Sequence, residues 1–164
     1  MDEIQLFVYG TLKRGYYNHG IFIPKDSPIV PARIQGQLYL TAYGFPTLTI
    51  PQENILAHGS LDIAKDVALS AELNPPKPSW ADWPESSAES PLSLVQGELV
   101  TLADPLKHIK QIDLLESFSP PSRCMYKRVM AWVKAEELVL AWVYINGEFE
   151  LDNLLLLPEG SWPE

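Results

Sequence analysis

Short apolar runs separated by turn-forming residues dominate the chain. Several of these runs alternate apolar and polar positions with a period of two, which is the pattern of half-buried strands. Glycine, proline and polar clusters stand between them. The pattern therefore predicts six strands, at residues 4–9, 34–40, 47–50, 94–100, 125–133 and 139–145.

One stretch has helical periodicity instead. Asp104 and Pro105 are typical of an N-cap and of a first helical position. The predicted helix runs to about residue 116 or 117, where the prolines of 119–122 end it. Residues 55–73 are ambiguous, because 55–63 has strand character and 64–73 is rich in helix formers. Many short strands with one clear helix predict an α+β fold, a small mixed β-barrel or curled sheet with the helix packed on it.

Residues 75–91 contain five prolines together with Trp80, Trp83, serines and acids. Such a composition predicts an exposed loop without a regular element. The two tryptophans either pack back on the domain or cover a pocket. The length of 164 residues suits a single domain, with this proline-rich loop as an insertion.

Composition narrows the class of function. The formal net charge of -9 repels a phosphate backbone, so no nucleic-acid partner is expected. The single cysteine, Cys124, cannot form an internal disulfide, which fits a reducing compartment. The acidic start lacks the features of a signal peptide, and no apolar run approaches the length of a membrane span. We therefore expect a cytoplasmic protein without a membrane partner; the oligomeric state stays open.

The first strand ends in a turn that could bind an anion. Gly10 follows the apolar run at once, and a sharp turn there would point consecutive backbone N–H groups at one place. Such donors suit a carboxylate or a developing oxyanion. A tight turn without a ligand is the alternative interpretation.

The helix carries two acids close to its apolar face. On a helical wheel, Leu106, Ile109, Ile112 and Leu115 form that face, and Glu116 lies between Ile109 and Ile112. Burial raises a carboxyl pKa toward the range that serves proton transfer at neutral pH. Alternatively, the helix end turns Glu116 into solvent.

The second acid, Asp113, lies at the edge of the apolar face, and we interpret it as a structural partner of Arg128. Alternation places Arg128 and Tyr126 on one side of their strand, with Lys127 on the other. Tyr126 either contacts a substrate or simply packs. Cys124 has no evident histidine partner, which disfavours a Cys/His nucleophile.

The motifs together resemble the gamma-glutamylcyclotransferase-like superfamily, in particular its small gamma-glutamylamine cyclotransferase-type members. The segments that carry the resemblance are Val8-Tyr9-Gly10-Thr11-Leu12, Gly36-Gln37-Leu38-Tyr39 with Tyr43-Gly44-Phe45-Pro46, Val95-Gln96-Gly97-Glu98-Leu99, Ile112-Asp113-Leu114-Leu115-Glu116, Tyr126-Lys127-Arg128 and Ala141-Trp142-Val143-Tyr144. They follow in the family's order over most of the chain. Ile112 replaces the usual leucine, and the region 54–91 looks longer than in compact members.

The resemblance implies a function. Members of the superfamily release 5-oxoproline from a gamma-glutamyl compound when the substrate's alpha-amine attacks the gamma-carbonyl of the same molecule. The resemblance therefore implies that Glu116 is the general acid and base. It further implies Tyr9, Gly10, Thr11 and Leu12 as substrate-binding residues, and Tyr126 as a wall of the pocket. No metal, nucleotide or other cofactor is expected. Two alternatives stay open: a non-catalytic binding module on the same fold, and a cyclotransferase that acts on a biosynthetic gamma-glutamyl intermediate.

Overall fold

The computed structural model of the chain describes residues 3–82 and 93–163. The strands are β1 (Glu3–Val8), β2 (Ile29–Leu40), β3 (Pro46–Thr49), β4 (Ala57–His58), β5 (Ser93–Ala103), β6 (Tyr126–Lys134), β7 (Leu138–Asn146) and β8 (Leu155–Leu157). The helices are α1 (Tyr17–Phe22), α2 (Ile63–Glu72) and α3 (Pro105–Leu115), with 3₁₀ turns at Gln52–Asn54, Ser79–Asp82 and Leu151–Asn153. Among the described helices, none has the length and apolar character that crossing a membrane requires.

Five strands close into a barrel in the order β2, β5, β1, β7, β6 and back to β2. The pairings are antiparallel except for β1 with β7, which is parallel. The barrel closes where Arg33 of β2 lies opposite Lys134 of β6. Strands β3 and β8 pair with the C-terminal end of β2, and β4 pairs with β6. The α+β class and the small mixed barrel with flanking helices are thus confirmed.

Two apolar cores lie on opposite faces of the barrel wall. Alternation sends Phe7 of β1 into the barrel, where it packs with residues such as Val95 and Val143. Leu6 of β1 points the other way and packs under the helices, with Ile109 of α3. Because β1 is buried on both faces, its sequence is an almost continuous apolar run.

Two strand glycines lie where another chain segment approaches closely. A Cβ on Gly36 would lie 2.4 Å from the carbonyl oxygen of Thr49, and one on Gly97 would lie 2.3 Å from that of Val8. The same Cβ on Gly97 would lie 2.6 Å from the ring of Phe7. A side chain at position 97 would therefore displace β1, the strand that leads to the turn at Gly10.

We expect Gly97→Ala to lower the free energy of unfolding by about 2 kcal/mol or more, because the methyl group overpacks a backbone contact. Gly20→Ala is the matched control, since a Cβ there meets nothing within 4 Å. That change should leave stability the same or raise it by up to about 1 kcal/mol, because alanine favours a helix. Urea unfolding of both variants measures the difference, and equal midpoints would contradict the expectation.

Several predictions are corrected by the structure. Residues 17–22, expected as loop, form α1, and β2 begins at Ile29 rather than at residue 34. Of the strand character in 55–63, only β4 remains, while 64–73 is indeed largely helix. Asp104 precedes α3 with a left-handed backbone (φ 49°) and makes no side-chain capping bond; its carbonyl oxygen accepts from the amides of Lys107 and His108 instead. Leu106, expected on the apolar face, is 53% exposed.

The proline-rich stretch is described as far as residue 82. Its Trp80 is buried and packs with the residues inside the barrel, which is one of the two alternatives left open by the sequence. Trp83 and residues 84–91 lie outside the described residues, so the prediction of a loop there is untested.

Candidate active site

A backbone hydrogen bond and contacts with helix α1 stabilise the turn after β1. The amide of Lys13 donates to the carbonyl oxygen of Gly10 at 3.0 Å, which closes a four-residue turn. Asn18 Nδ2 donates to Thr11 Oγ1 at 2.8 Å, and His19 Nδ1 lies 2.8 Å from the carbonyl oxygen of Leu12. The helix α1 therefore fixes the outer side of the turn.

Gly10 serves this turn in a different way from the one expected. Its backbone is not in the left-handed region, which Gly15 (φ 93°) occupies instead. A Cβ on Gly10 would lie 3.2–3.3 Å from the ring of Pro46. The glycine is therefore needed because the turn packs against Pro46, not because the chain takes an unusual angle.

The turn offers backbone donors. Within residues 3–82 and 93–163, no acceptor is bonded to the amides of Gly10, Thr11 or Leu12. All three residues line a cavity. Consecutive amides without a partner can bind a carboxylate or an oxyanion.

Trp162 ties this turn to the loop before β3. Its carbonyl oxygen accepts a hydrogen bond from Lys13 Nζ, and its ring lies 5.2 Å from that of Tyr16 between centroids. Its indole N–H donates to the carbonyl oxygen of Gly44 at 3.1 Å. The segment around Trp162 thus joins two loops that both contribute to the cavity.

Glu116 stands at the end of α3 and lines the same cavity. No residue of the described chain hydrogen-bonds its carboxyl group. Burial, and then the charge of Asp113, raise the pKa of Glu116 from 4.5 to about 7. At neutral pH the group therefore exchanges a proton readily, which is the property of a general acid and base.

Asp113 and Arg128 form the ion pair that the sequence predicted. Arg128 Nε donates to Asp113 Oδ1 at 2.9 Å, and Arg128 Nη2 donates to Oδ2 at 3.1 Å. Both side chains are nearly inaccessible to solvent. Tyr144 donates its hydroxyl to Asp113 Oδ1 at 2.6 Å. This bidentate geometry fixes the last turn of α3 against the barrel, and with it the position of Glu116.

Arg128 has two further hydrogen-bond partners that the sequence did not predict. Arg128 Nη1 donates to Asp66 of α2 at 3.0 Å, and Nη2 donates to the carbonyl oxygen of Ser60 at 2.9 Å. The guanidinium carbon lies 5.0 Å from the ring centroids of Phe118 and Trp142. One buried cation therefore connects both long helices to the barrel wall.

Two tyrosine hydroxyls beside the cavity donate hydrogen bonds to backbone carbonyl oxygens of the protein. Tyr9 donates to the carbonyl oxygen of Tyr144 at 2.6 Å, and Tyr126 donates to that of Pro46 at 2.7 Å. Burial is the main cause that raises the pKa of each hydroxyl well above its usual range, and the charge of Glu116 adds to it. These tyrosines stay neutral and position the walls rather than transfer protons.

Cys124 has a structural environment. Its Sγ accepts from the amide of Ser119 at 3.3 Å and lies 3.2 Å from the carbonyl oxygen of Ser122. It does not line the cavity. Cys124 therefore lies outside the candidate site.

The cavity has a volume of about 110 Å³, enough for several water molecules or a group of amino-acid size. It brings together the residues that the resemblance assigned to catalysis and substrate binding: Tyr9, Gly10, Thr11, Leu12, Glu116 and Tyr126. Residues that the sequence did not single out also line it: Phe7, Val8, Asn18, Phe45, Pro46, Leu115, Met125 and Tyr144.

A protein-family model matches almost the whole chain. The sequence matches the family model described as "Gamma-glutamyl cyclotransferase, AIG2-like" over residues 6–74 and 80–164. The chain belongs to this family. The unmatched residues inside the match, 75–79, fall in the proline-rich stretch. No curated protein sequence matches the chain.

Solved structures of this gamma-glutamyl cyclotransferase-like, AIG2-like fold are similar to the chain at low identity. YkqA from Bacillus subtilis has a TM-score of 0.55 and 19% identity; the match covers 98% of this chain but only 39% of YkqA. A mouse AIG2-like protein has a TM-score of 0.50 and 18% identity over 93% of this chain and 82% of its own. An uncharacterized protein from Pyrococcus horikoshii has a TM-score of 0.53 and 12% identity, covering 96% and 88%. These similarities establish the fold.

Proposed function

We propose that the protein releases 5-oxoproline and a free amine from a gamma-glutamyl compound, with Glu116 as general base and then general acid. One observation carries the proposal: a carboxyl group with a pKa of about 7 shares a small cavity with three backbone amides, and none of these groups has a hydrogen-bond partner among the described residues. Membership of a gamma-glutamyl cyclotransferase-like family supports the same chemistry.

The reaction needs one proton carrier. The alpha-amine of the substrate arrives as an ammonium group, and Glu116 removes its proton. The nitrogen then attacks the gamma-carbonyl carbon, and an oxyanion develops on the carbonyl oxygen. Glu116, having released the first proton to water, takes a second proton from the attacking nitrogen, which would otherwise stay positively charged, and gives it to the leaving nitrogen. As the oxyanion collapses, the bond to the leaving nitrogen breaks, and a neutral lactam and a free amine remain. A carboxyl pKa near 7 suits both transfers, and such catalysis is worth roughly 10²–10⁴ in rate.

The turn supplies binding rather than proton transfer. The amides of Gly10, Thr11 and Leu12 can donate to oxygen atoms of the glutamyl group and so select the folded conformer that cyclises. Because the attack is intramolecular, orientation accounts for much of the acceleration. This chemistry uses no cofactor.

The proposal is tested by incubating the protein with gamma-glutamyl amino acids, gamma-glutamyl-lysine and simple gamma-glutamyl amides, with 5-oxoproline measured by chromatography. Release above the uncatalysed rate supports the proposal. Binding of these compounds without release would instead indicate a binding module, and activity confined to one unusual amide would indicate a specialised biosynthetic cyclotransferase.

We expect kcat/KM to rise with pH and to level off above about pH 7, because Glu116 must be ionised to act as the base. The group's raised pKa sets the midpoint of this limb, well above the 4.5 of an ordinary glutamate. Initial rates between pH 5 and 8.5 measure the profile, and thermal unfolding over the same range controls for loss of structure. A profile that is flat across this range, in a protein that stays folded, would contradict the role of Glu116.

A further inference from the structure

Four aromatic rings run from the wall of the cavity to the protein surface. Tyr126 lies at the inner end and is buried, whereas Tyr43 lies at the outer end and is 72% exposed. Phe45 stands between them, with ring centroids 6.3 Å from Tyr126 and 5.6 Å from Tyr43. Phe149 packs edge-on against all three, at 6.1–6.3 Å. We call these four residues the aromatic row.

The proposed reaction determines which part of a substrate reaches the aromatic row. The turn amides and Glu116 must surround the glutamyl group, and a cavity of about 110 Å³ holds little more than that group. The leaving amine therefore has to extend out of the cavity. Pro46 packs against the turn at Gly10, and Phe45, the residue before it, lines the same cavity and stacks on Tyr43.

The outer rings are arranged to receive a flat group. The ring planes of Tyr43 and Phe45 are only 10° apart, so a third ring can continue the stack or lie edge-on against it. The exposed area of Tyr43 has no evident use in stabilising the fold. A flat apolar group on the leaving amine would cover it.

The charges around the cavity disfavour other leaving groups. Among the described residues that line the cavity there is no lysine or arginine, and Glu116 is the one acid. Lys13 donates to the carbonyl oxygen of Trp162, and Arg14 pairs with Glu98 at 3.0 Å. The carboxylate of an amino-acid leaving group lies one carbon from its nitrogen and would be close to Glu116 without a cation. Such like charges repel.

We propose that the aromatic row is the subsite for the leaving amine, and that the preferred substrates are gamma-glutamyl amides of amines that carry an aromatic ring and no carboxylate beside the nitrogen. This inference rests on the proposed function, of which it names the substrate class.

Four compounds test the preference. Gamma-glutamyl-phenethylamide carries the ring without a carboxylate, gamma-glutamyl-phenylalanine adds the carboxylate, gamma-glutamyl-ethylamide lacks the ring, and the monoamide of 1,4-diaminobutane replaces it with a cation. We expect kcat/KM for the phenethylamide to exceed each of the others by roughly fivefold to tenfold or more. Equal or better turnover of the phenylalanine or diaminobutane compound would overturn the inference while leaving the proposed function intact.

One substitution tests the location. Tyr43→Ala removes the exposed end of the row, at a residue that does not line the cavity. We expect it to lower kcat/KM for the phenethylamide by roughly fivefold to tenfold and to change that for the ethylamide less than threefold. Tyr17→Ala is the matched control, since Tyr17 is 83% exposed on α1 and does not line the cavity. A Tyr43→Ala variant that affects both amides equally would exclude the aromatic row as a leaving-group subsite.

A binding measurement separates this inference from the proposed function. Calorimetric titration of the phenethylamide and the ethylamide into Glu116→Gln requires no turnover. Tighter binding of the phenethylamide, lost in the double variant with Tyr43→Ala, supports the subsite whether or not 5-oxoproline is ever formed. Equal affinity of the two amides would overturn it. Absence of 5-oxoproline from every compound would overturn the proposed function instead.

Discussion

Glu116→Gln should abolish release of 5-oxoproline while leaving the fold intact. The glutamine keeps the shape of the side chain but cannot take the proton from the substrate's ammonium group. General acid–base catalysis of this kind contributes roughly 10²–10⁴, so we expect kcat to fall by at least about a hundredfold. Because the carboxyl group makes no hydrogen bond within the described residues, its replacement breaks no contact of the folded protein. Initial rates measured with an amide that the wild-type protein turns over give the size of the loss.

The same variant should be more stable than the wild type at high pH. Since the folded state raises the pKa of Glu116 from 4.5 to about 7, the folded wild type holds the proton more strongly than the unfolded chain does. Its stability therefore falls as pH rises from about 4.5 to 7, by an amount on the order of 3 kcal/mol. Glutamine lacks this penalty, so the gain should grow over that range and then stay constant.

Glu72→Gln provides the control, because Glu72 is an exposed glutamate at the end of α2. It should change neither the rate nor the pH dependence of stability. If Glu116→Gln retained wild-type turnover, Glu116 would not be the base. If it lost activity together with its folded structure, the loss would say nothing of proton transfer, which is why unfolding must be measured beside the rate.

Arg128→Met should lower the free energy of unfolding by about 3–5 kcal/mol. Arg128 is the buried cation between Asp66 and Asp113, and its removal leaves two buried carboxylates without a compensating positive charge. Methionine fills much of the space without replacing the charge. We also expect activity to fall at neutral pH, because uncompensated negative charge near Glu116 raises its pKa further. Chemical denaturation and a pH–rate profile measure the two effects.

Arg123→Met is the matched control for this change. Arg123 also pairs with a glutamate, Glu148, but at 3.5 Å and with a side chain that is 86% exposed. Such a surface pair contributes about 0–1 kcal/mol. Adding Asp66→Asn and Asp113→Asn to Arg128→Met should restore part of the lost stability, because no buried charge then remains. Equal effects of Arg128→Met and Arg123→Met would contradict the role of the buried network.

The sequence predicted the elements whose pattern is set locally. Strands β1, β5, β6 and β7 alternate or are uniformly apolar, and α3 has a clear amphipathic period. The start of β2 was missed because Pro31, which usually marks an edge or the end of a strand, lies opposite Glu98 within the barrel. Helix α1 was missed because its residues carry no capping signal. Its bonds to the turn, through Asn18 and His19, reach residues seven positions earlier, and no sequence pattern indicates them.

The candidate site could be predicted to a similar extent. The helical period indicated that Glu116 and Asp113 approach the interior, and strand alternation placed Arg128 beside Tyr126. Asp66 could not be assigned to the same network, because which face of α2 meets α3 depends on tertiary packing. Phe45 was recognised only as part of a turn, since its place in the cavity wall follows from the approach of Gly10 to Pro46.

The parallel pairing of β1 with β7 has a consequence for how the protein folds. It joins Leu6 to Trp142, across most of the length of the chain, and without it neither the barrel nor the space beside Glu116 exists. A growing chain can form α3 early, because the hydrogen bonds of a helix are local, but the cavity beside Glu116 cannot form until β6 and β7 have been synthesised. Long-range strand pairing of this kind is slow, so the ability to bind substrate should be among the last properties that the nascent polypeptide acquires.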